Sequence, residues 1–282
     1  MNAYTGRVLA VGAAGKFAGL VVPALARRGV QVRGLVRHPE QAAGVLDNGA
    51  AEVAVGDLTD RDSLKQALQG VERVFYIAPA FADDEAGLGR AFVAEAVAAG
   101  VCRIVFSSVV HPVLSGLVNH AAKAPVEEAI LDAGLEFTFL HPTLYFQMFA
   151  PTWRTTLDSG VLAEPWSAQT RFSRVDYRDI AEVAARALTD DDLLSGTFDL
   201  TAPGELNRHD VAALITELTG KPVRAGRTNP GDDVPPPMRA MFEHYDHAGL
   251  VANPLTLRAI LGREPRSLRA YFAELAQKGT AA

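Results

Sequence analysis

The first half of the chain alternates between two hydrophobic periods, and that alternation restricts its fold more than any other feature. RVLAVG (7–12), QVRGLV (31–36), AEVAVGD (51–57), RVFYIA (73–78), RIVFSSV (103–109) and EFTFLHP (136–142) are short apolar or β-branched runs, as expected for strands buried on both faces. Between them FAGLVVPALARRG, PEQAAGVLDNG, DRDSLKQALQG, DDEAGLGRAFVAEAVAAG and APVEEAILDAG carry helical spacing. Several close on a glycine that suits a left-handed C-terminal cap. Strand and helix in alternation imply parallel strands joined by right-handed crossovers. The expected fold is α/β, a doubly wound parallel sheet with its ligand at the carboxyl ends of the strands.

Beyond residue 143 the pattern loosens. LYFQMFAPTWRTTLDSG, DYRDIAEVAARALTD and NRHDVAALITELTG read as longer helices, TRFSRV, TFDLT and PVRAG as short strands, and NPGDDVPPP as a loop, because clustered Pro, Gly and Asp oppose both helix and strand. The spacing predicts a doubly wound α/β core over 1–143 and a smaller C-terminal α/β lobe over 144–282 that returns some elements to the core and, packed over the strand ends, is expected to bind the ligand's partner substrate.

Composition narrows the function. Of 282 residues 49% are hydrophobic, and the formal charge of −6 includes no basic block, which argues against direct nucleic-acid binding. No apolar run reaches the roughly 18 residues of a membrane helix, and MNAYTGRVLAVG lacks the pattern of a secretory leader. A cytoplasmic protein, monomer or homodimer, is expected. The single cysteine, Cys102 in VCRIVF, reads as a buried inert thiol. No histidine spacing suggests a metal site, and His244 and His247 with Asp246 between them read as a solvated helix face.

VLAVGAAGKFAGLVV places Gly12, Gly15 and Ala18 at G-x-x-G-x-x-A spacing, followed by Gly19, between a strand and a helix. So tight a turn lets backbone N–H groups and a helix N-terminus approach a pyrophosphate, and Ala14, Lys16 and Phe17 share it. The second strand ends in LVRHPE, with Arg37 where an acidic residue would select NAD(H); a guanidinium there matches a 2′-phosphate and favours NADP(H) over NAD(H). In VGDLTD, Asp60 is the better helix cap, leaving Asp57 and Leu58 to line the adenine site. Ala78 and Pro79 leave the fourth strand along the cofactor.

In this order, VGAAGKFAG, LVR, VGDLTD, RIVFSSV, K-x-x-VEEAI, FTFLHPTLYFQMF, RVDYRDIAEVAARAL and AILGREPRSLRAYF make a chain that resembles the NmrA-like branch of the atypical short-chain dehydrogenase/reductase proteins. The resemblance implies a Rossmann-like core with an NAD(P)(H) site. In the wider family a Tyr-x-x-x-Lys pair works on the substrate. The lysine position matches Lys123, whereas Asn119 stands where the tyrosine would be. The resemblance therefore implies that Lys123 binds ribose hydroxyls, that Ser107 or Ser108 polarises a carbonyl, with Ser107 the choice, and that Pro142 lies along the cofactor.

His120 is a candidate proton carrier at neutral pH, although a regular helix would point it about 100° away from position 119. Pro125 either starts the helix or removes the bond to Ala121. His141 reads as a strand-end histidine satisfied by a backbone group. His111, Tyr145, Phe146, Phe149, Trp153 and Trp166 are expected as substrate wall, with core packing the competing role for the aromatics. The leading expectation is an NADPH-dependent reductase of a small aromatic, quinone-like or conjugated carbonyl substrate. Two alternatives stand beside it: a dinucleotide-sensing regulator without turnover, and a redox-neutral dehydratase, isomerase or cyclase.

Overall fold

The computed structural model describes residues 4–280, which fall into two compact units. One runs through His141 and takes in Ile180–Phe198; the other comprises Pro142–Asp179 and the chain from Asp199 onward.

In the first unit β1 (Arg7–Val11), β2 (Gln31–Val36), β3 (Glu52–Val55), β4 (Arg73–Ile77), β5 (Arg103–Ser107) and β6 (Glu136–Pro142) alternate with α1 (Ala18–Ala26), α2 (Ala42–Asp47), α3 (Arg61–Leu68), α4 (Glu85–Ala98), the single turn α5 (Val118–Ala121) and α6 (Ala124–Asp132). The strands stand in the order β3-β2-β1-β4-β5-β6, and every one of these pairings is parallel. This is the Rossmann-like doubly wound sheet, and the strand order reverses between β1 and β4, where such sheets open a ligand crevice.

The core follows from the two-sided burial of the strands. Leu9, Val74, Ile104, Phe106 and Phe92 have no exposed surface, and Tyr76 stacks on Phe92 at 4.7 Å and Phe106 at 5.4 Å. Each such side chain contributes about 1.5–3 kcal/mol by leaving water, and truncating Phe106 to alanine would cost about 3–5 kcal/mol. Asp60 caps α3 as expected, accepting from the N–H groups of Asp62 and Ser63. Pro125 lies in the first turn of α6 and starts it, where its missing N–H costs nothing. One expectation fails: Cys102 is exposed, because β5 begins one residue later and the thiol stands in the turn after α4, with Sγ 3.2 Å from the Glu72 carbonyl.

The second unit contains β7 (Leu144–Tyr145), α7 (Trp153–Ser159), β8 (Val161–Glu164) and β9 (Phe172–Val175), and α8 (Tyr177–Thr189) begins within it. After α8 the chain lays β10 (Gly196–Leu200) beside β6 as the seventh strand of the large sheet. It then forms β11 (Glu205–Leu206), α9 (Arg208–Thr219), β12 (Arg224–Arg227), α10 (Pro236–His247), α11 (Leu255–Leu261) and α12 (Leu268–Thr280). β11, β9 and β7 make one small sheet, and β12 pairs with β8. The single helix expected over 144–160 is instead a short strand, a 3₁₀ stretch from Phe146 to Thr152 and then α7. Pro151 lies within the 3₁₀ stretch; it has no N–H for an α-helical bond, and its ring opposes the preceding turn.

Candidate cofactor and active site

The chain leaves β1 through Gly12 at φ +71°, in the left-handed region that side chains other than glycine's rarely permit. A Cβ on Gly15 would stand 2.9 Å from the Gly12 carbonyl oxygen, which accepts from the Gly15 N–H at 2.7 Å. The surface of this turn is therefore main chain. α1 follows with Phe17 at its N-cap and no side-chain cap. A phenyl ring has no oxygen to offer first-turn N–H groups, so this end keeps the partial positive charge that favours a bound anion.

A cavity of about 250 Å³ opens beside the turn. Gly12, Gly15, Lys16 and Phe17 line one side, and the ends of β2, β3 and β4 bring Arg37, Asp57, Leu58, Ala78 and Pro79 to the rest. Nine residues separately singled out in the sequence thus share one wall. Ala14 lies instead along the adjoining groove with Gly19 and Glu40.

Arg37 Nε lies 3.0 Å from Asp57 Oδ2, with 61% of the arginine side chain exposed. Asp57 also accepts from the backbone N–H of Thr59 at 2.8 Å and from its hydroxyl at 2.7 Å. Those two bonds and Arg37 hold its carboxyl below the ordinary value of 3.8, the Thr59 amide contributing most. Partial burial pulls the Lys16 ammonium below 10.5. The turn, the cap-free helix end and this exposed guanidinium fit a phosphorylated dinucleotide.

Lys123 is buried and donates to Glu85 Oε1. The second oxygen of Glu85 accepts from the Phe81 N–H at 3.2 Å, and Phe81 itself is held at φ +63°. One carboxylate thus fastens the loop beyond Ala78 and Pro79 to the lysine at the start of α6. Ser107 ends β5 in register with Ile77 of β4 and Leu140 of β6, so it continues the cavity-side strand ends across the sheet. Ser108 donates to Glu127 Oε1, and His141 Nε2 lies 2.9 Å from the same oxygen. His120 is fully buried, its Nδ1 3.1 Å from the His111 carbonyl, and His111 has φ +54°. Pro142 is buried at the end of β6.

The aromatic group divides within the second unit. Phe146, Phe149 and Trp153 enter its core with Tyr271 and Phe272, the rings of Phe149 and Trp153 each 5.1 Å from Phe272. These three rings are packing groups. Tyr145 is half-buried and meets Tyr177 edge-on at 4.9 Å, and burial raises its phenol pKa. Trp166 is half-buried against Phe172, Phe242 and Tyr245.

Glu85 and Glu127 are residues that the sequence reading did not single out. Glu85 looks like an ordinary acidic residue in a first helical turn, and Glu127 like one of two charges in VEEAI. Their partners lie on other elements, and only the strand order brings them together.

The profile of the NmrA-like family matches residues 4–244. The chain belongs to the NmrA-like family. Within curated proteins, this NmrA-like chain is 28% identical to the NAD(P)H azoreductase of Xenophilus azovorans, over 77% of its own length and 75% of the relative's. It is 26% identical to quinone oxidoreductase 2 of Escherichia coli, over 75% and 74%. Among solved structures, the Citrobacter sp. triphenylmethane reductase complexed with NADP(H) superposes with a TM-score of 0.82 at 23% identity, covering 96% of this chain and 99% of the other. That likeness establishes the shared fold. Among the described residues no helix is long and apolar enough to cross a membrane, and no cluster of His, Cys, Asp and Glu is arranged to hold a metal ion.

Proposed function

We propose that this protein is an NADPH-dependent reductase of small aromatic acceptors of the quinone or azo type. The broader statement, that it is an NAD(P)H-linked oxidoreductase of the NmrA-like family, rests on the relatives named above. The observation that carries the finer reading is the shared wall of the glycine turn, Arg37 and the ends of β3 and β4 around one cavity. NADPH, when bound, supplies a hydride. Gly12 and Gly15 admit its phosphates to the main chain, Arg37 meets the 2′-phosphate, and Asp57 fixes the guanidinium from behind. Lys123, anchored by Glu85, presents its ammonium to the ribose side. With Asn119 in place of a tyrosine, protonation falls to solvent or a pocket group, which a reduced quinone oxygen accepts readily.

Asn119 also favours a second reading, a sensor that binds the dinucleotide without turnover. NADPH oxidation by the purified protein, followed with a panel of quinones and azo dyes, separates the two. Turnover with at least one acceptor, faster with NADPH than with NADH and lost in Gly15→Val, is expected. Tight NADPH binding with no oxidation across the panel would establish the sensor. Product formed at constant NADPH would point to redox-neutral chemistry.

A further inference from the structure

Arg174 on β9 is an arginine whose charge the protein does not fully use. Only 8% of its side chain is exposed, and the nearest carboxylate, Glu164 Oε2, is 3.9 Å away. That same oxygen is held closer, at 3.2 Å, by Arg208 Nε. Arg208 is otherwise satisfied, donating to the carbonyls of Gly226 at 2.8 Å and Trp166 at 2.9 Å. Arg174 Nε is buried with no hydrogen-bond partner, and no described residue accepts from its guanidinium. Two guanidinium groups thus share one carboxylate, and the excess positive charge is left on the more weakly bonded of them.

The surroundings are aromatic. The Arg174 guanidinium lies 5.0 Å from the ring centre of Phe149 and 5.4 Å from that of Phe172. Tyr245 packs on Phe172 at 5.1 Å, and burial holds its phenol protonated, so it supplies no counter-charge. Cation–π contacts recover part of the desolvation cost, but a buried guanidinium with idle donors remains unfavourable unless something else accepts from it. Arginine's planar fork matches a carboxylate or sulfonate through paired hydrogen bonds.

We infer that Arg174 is a binding residue for an oxyanion substituent, and that the second unit selects aromatic compounds carrying a carboxylate or sulfonate. As a statement about substrates this rests on the reductase reading; as a statement about binding it does not.

The test separates the two. Calorimetric titration of the full chain without NADPH compares naphthalenesulfonate with the neutral naphthalenesulfonamide. Wild type should bind the sulfonate about tenfold or more tightly, as loss of a charge-assisted bond implies. Arg174→Met should remove that preference and Arg174→Lys should keep part of it. The melting temperature of Arg174→Met should not fall, since the variant removes an under-paired buried charge. NADPH oxidation is then followed with naphthoquinone and naphthoquinone sulfonate, the sulfonate showing the lower KM in wild type only. Equal binding of the two naphthalene probes, or a preference that survives in Arg174→Met, overturns the Arg174 assignment. So does a marked loss of stability in Arg174→Met without any change in preference. An Arg174-dependent preference with no NADPH oxidation by these quinones or by any acceptor of the quinone and azo panel upholds the site and sinks the reductase reading instead.

Discussion

Lys123 and Glu85 form an ion pair in which the lysine side chain is 8% exposed and the glutamate 4%, joining the start of α6 to the first turn of α4. The pair fixes where the ammonium points, and each charge makes burial of the other tolerable. Lys123→Met should therefore strand a buried carboxylate and cost about 3–5 kcal/mol. The double variant Lys123→Met, Glu85→Leu should recover much of that loss. Urea unfolding of the two singles and the double measures the coupling; additive losses would mean that the pair is not a unit.

In the proposed reading Arg37 is the residue that meets the 2′-phosphate. Arg37→Ala should weaken NADPH binding about 10- to 100-fold, the range for loss of hydrogen bonds to a charged group, and leave NADH nearly unchanged. Fluorescence titration with both coenzymes checks this, and equal loss for the two would remove Arg37 from phosphate recognition.

Asp176 sets part of the acid stability. It is fully buried; burial alone would raise its pKa, but hydrogen bonds from Arg178 and Gln147 outweigh that and hold it below the ordinary 3.8. A depressed folded-state pKa gives stability that is complete above the ordinary value and is lost as pH falls through the folded one. Asp176→Asn should cost about 1–3 kcal/mol at neutral pH and flatten the decline below about pH 4. Unfolding midpoints measured from neutral to acid pH test the sign; parallel curves for the variant and wild type would contradict it.

The six parallel strands were legible in the sequence to within a residue or two because each is a short apolar or β-branched run separated from the next by a helix with its own period. Five of them are largely buried, and β3, at the sheet edge, is half-buried with Val55 exposed. The wall around Gly12, Gly15, Arg37 and Asp57 was legible for a related reason: every member lies at the end of a strand, and strand order alone gathers them. The stretch from Leu144 to Gly160 reads as one helix because its aromatics recur at helical spacing, but Pro151 lacks the N–H that an α-helix would need there and the chain forms a strand, a 3₁₀ stretch and α7 instead. Glu85 was invisible because its significance lies in a partner on α6, far along the chain, and Arg174 because a basic residue in a short strand reads as surface until burial is known.

The return of Ile180–Phe198 to the first unit bears on how the protein can be made. Arg103, 1% exposed, donates to the carbonyls of Ala187 and Asp190 and pairs with Asp191, and β10 covers the outer edge of β6. A ribosome that has released β6 has therefore produced a sheet with an open border and a guanidinium awaiting its acceptors, and both persist until the first segment of the second unit, Pro142–Asp179, and the returning Ile180–Phe198 have emerged. Expression of the first 143 residues alone would freeze that unfinished stage and expose the bare strand to edge-to-edge aggregation.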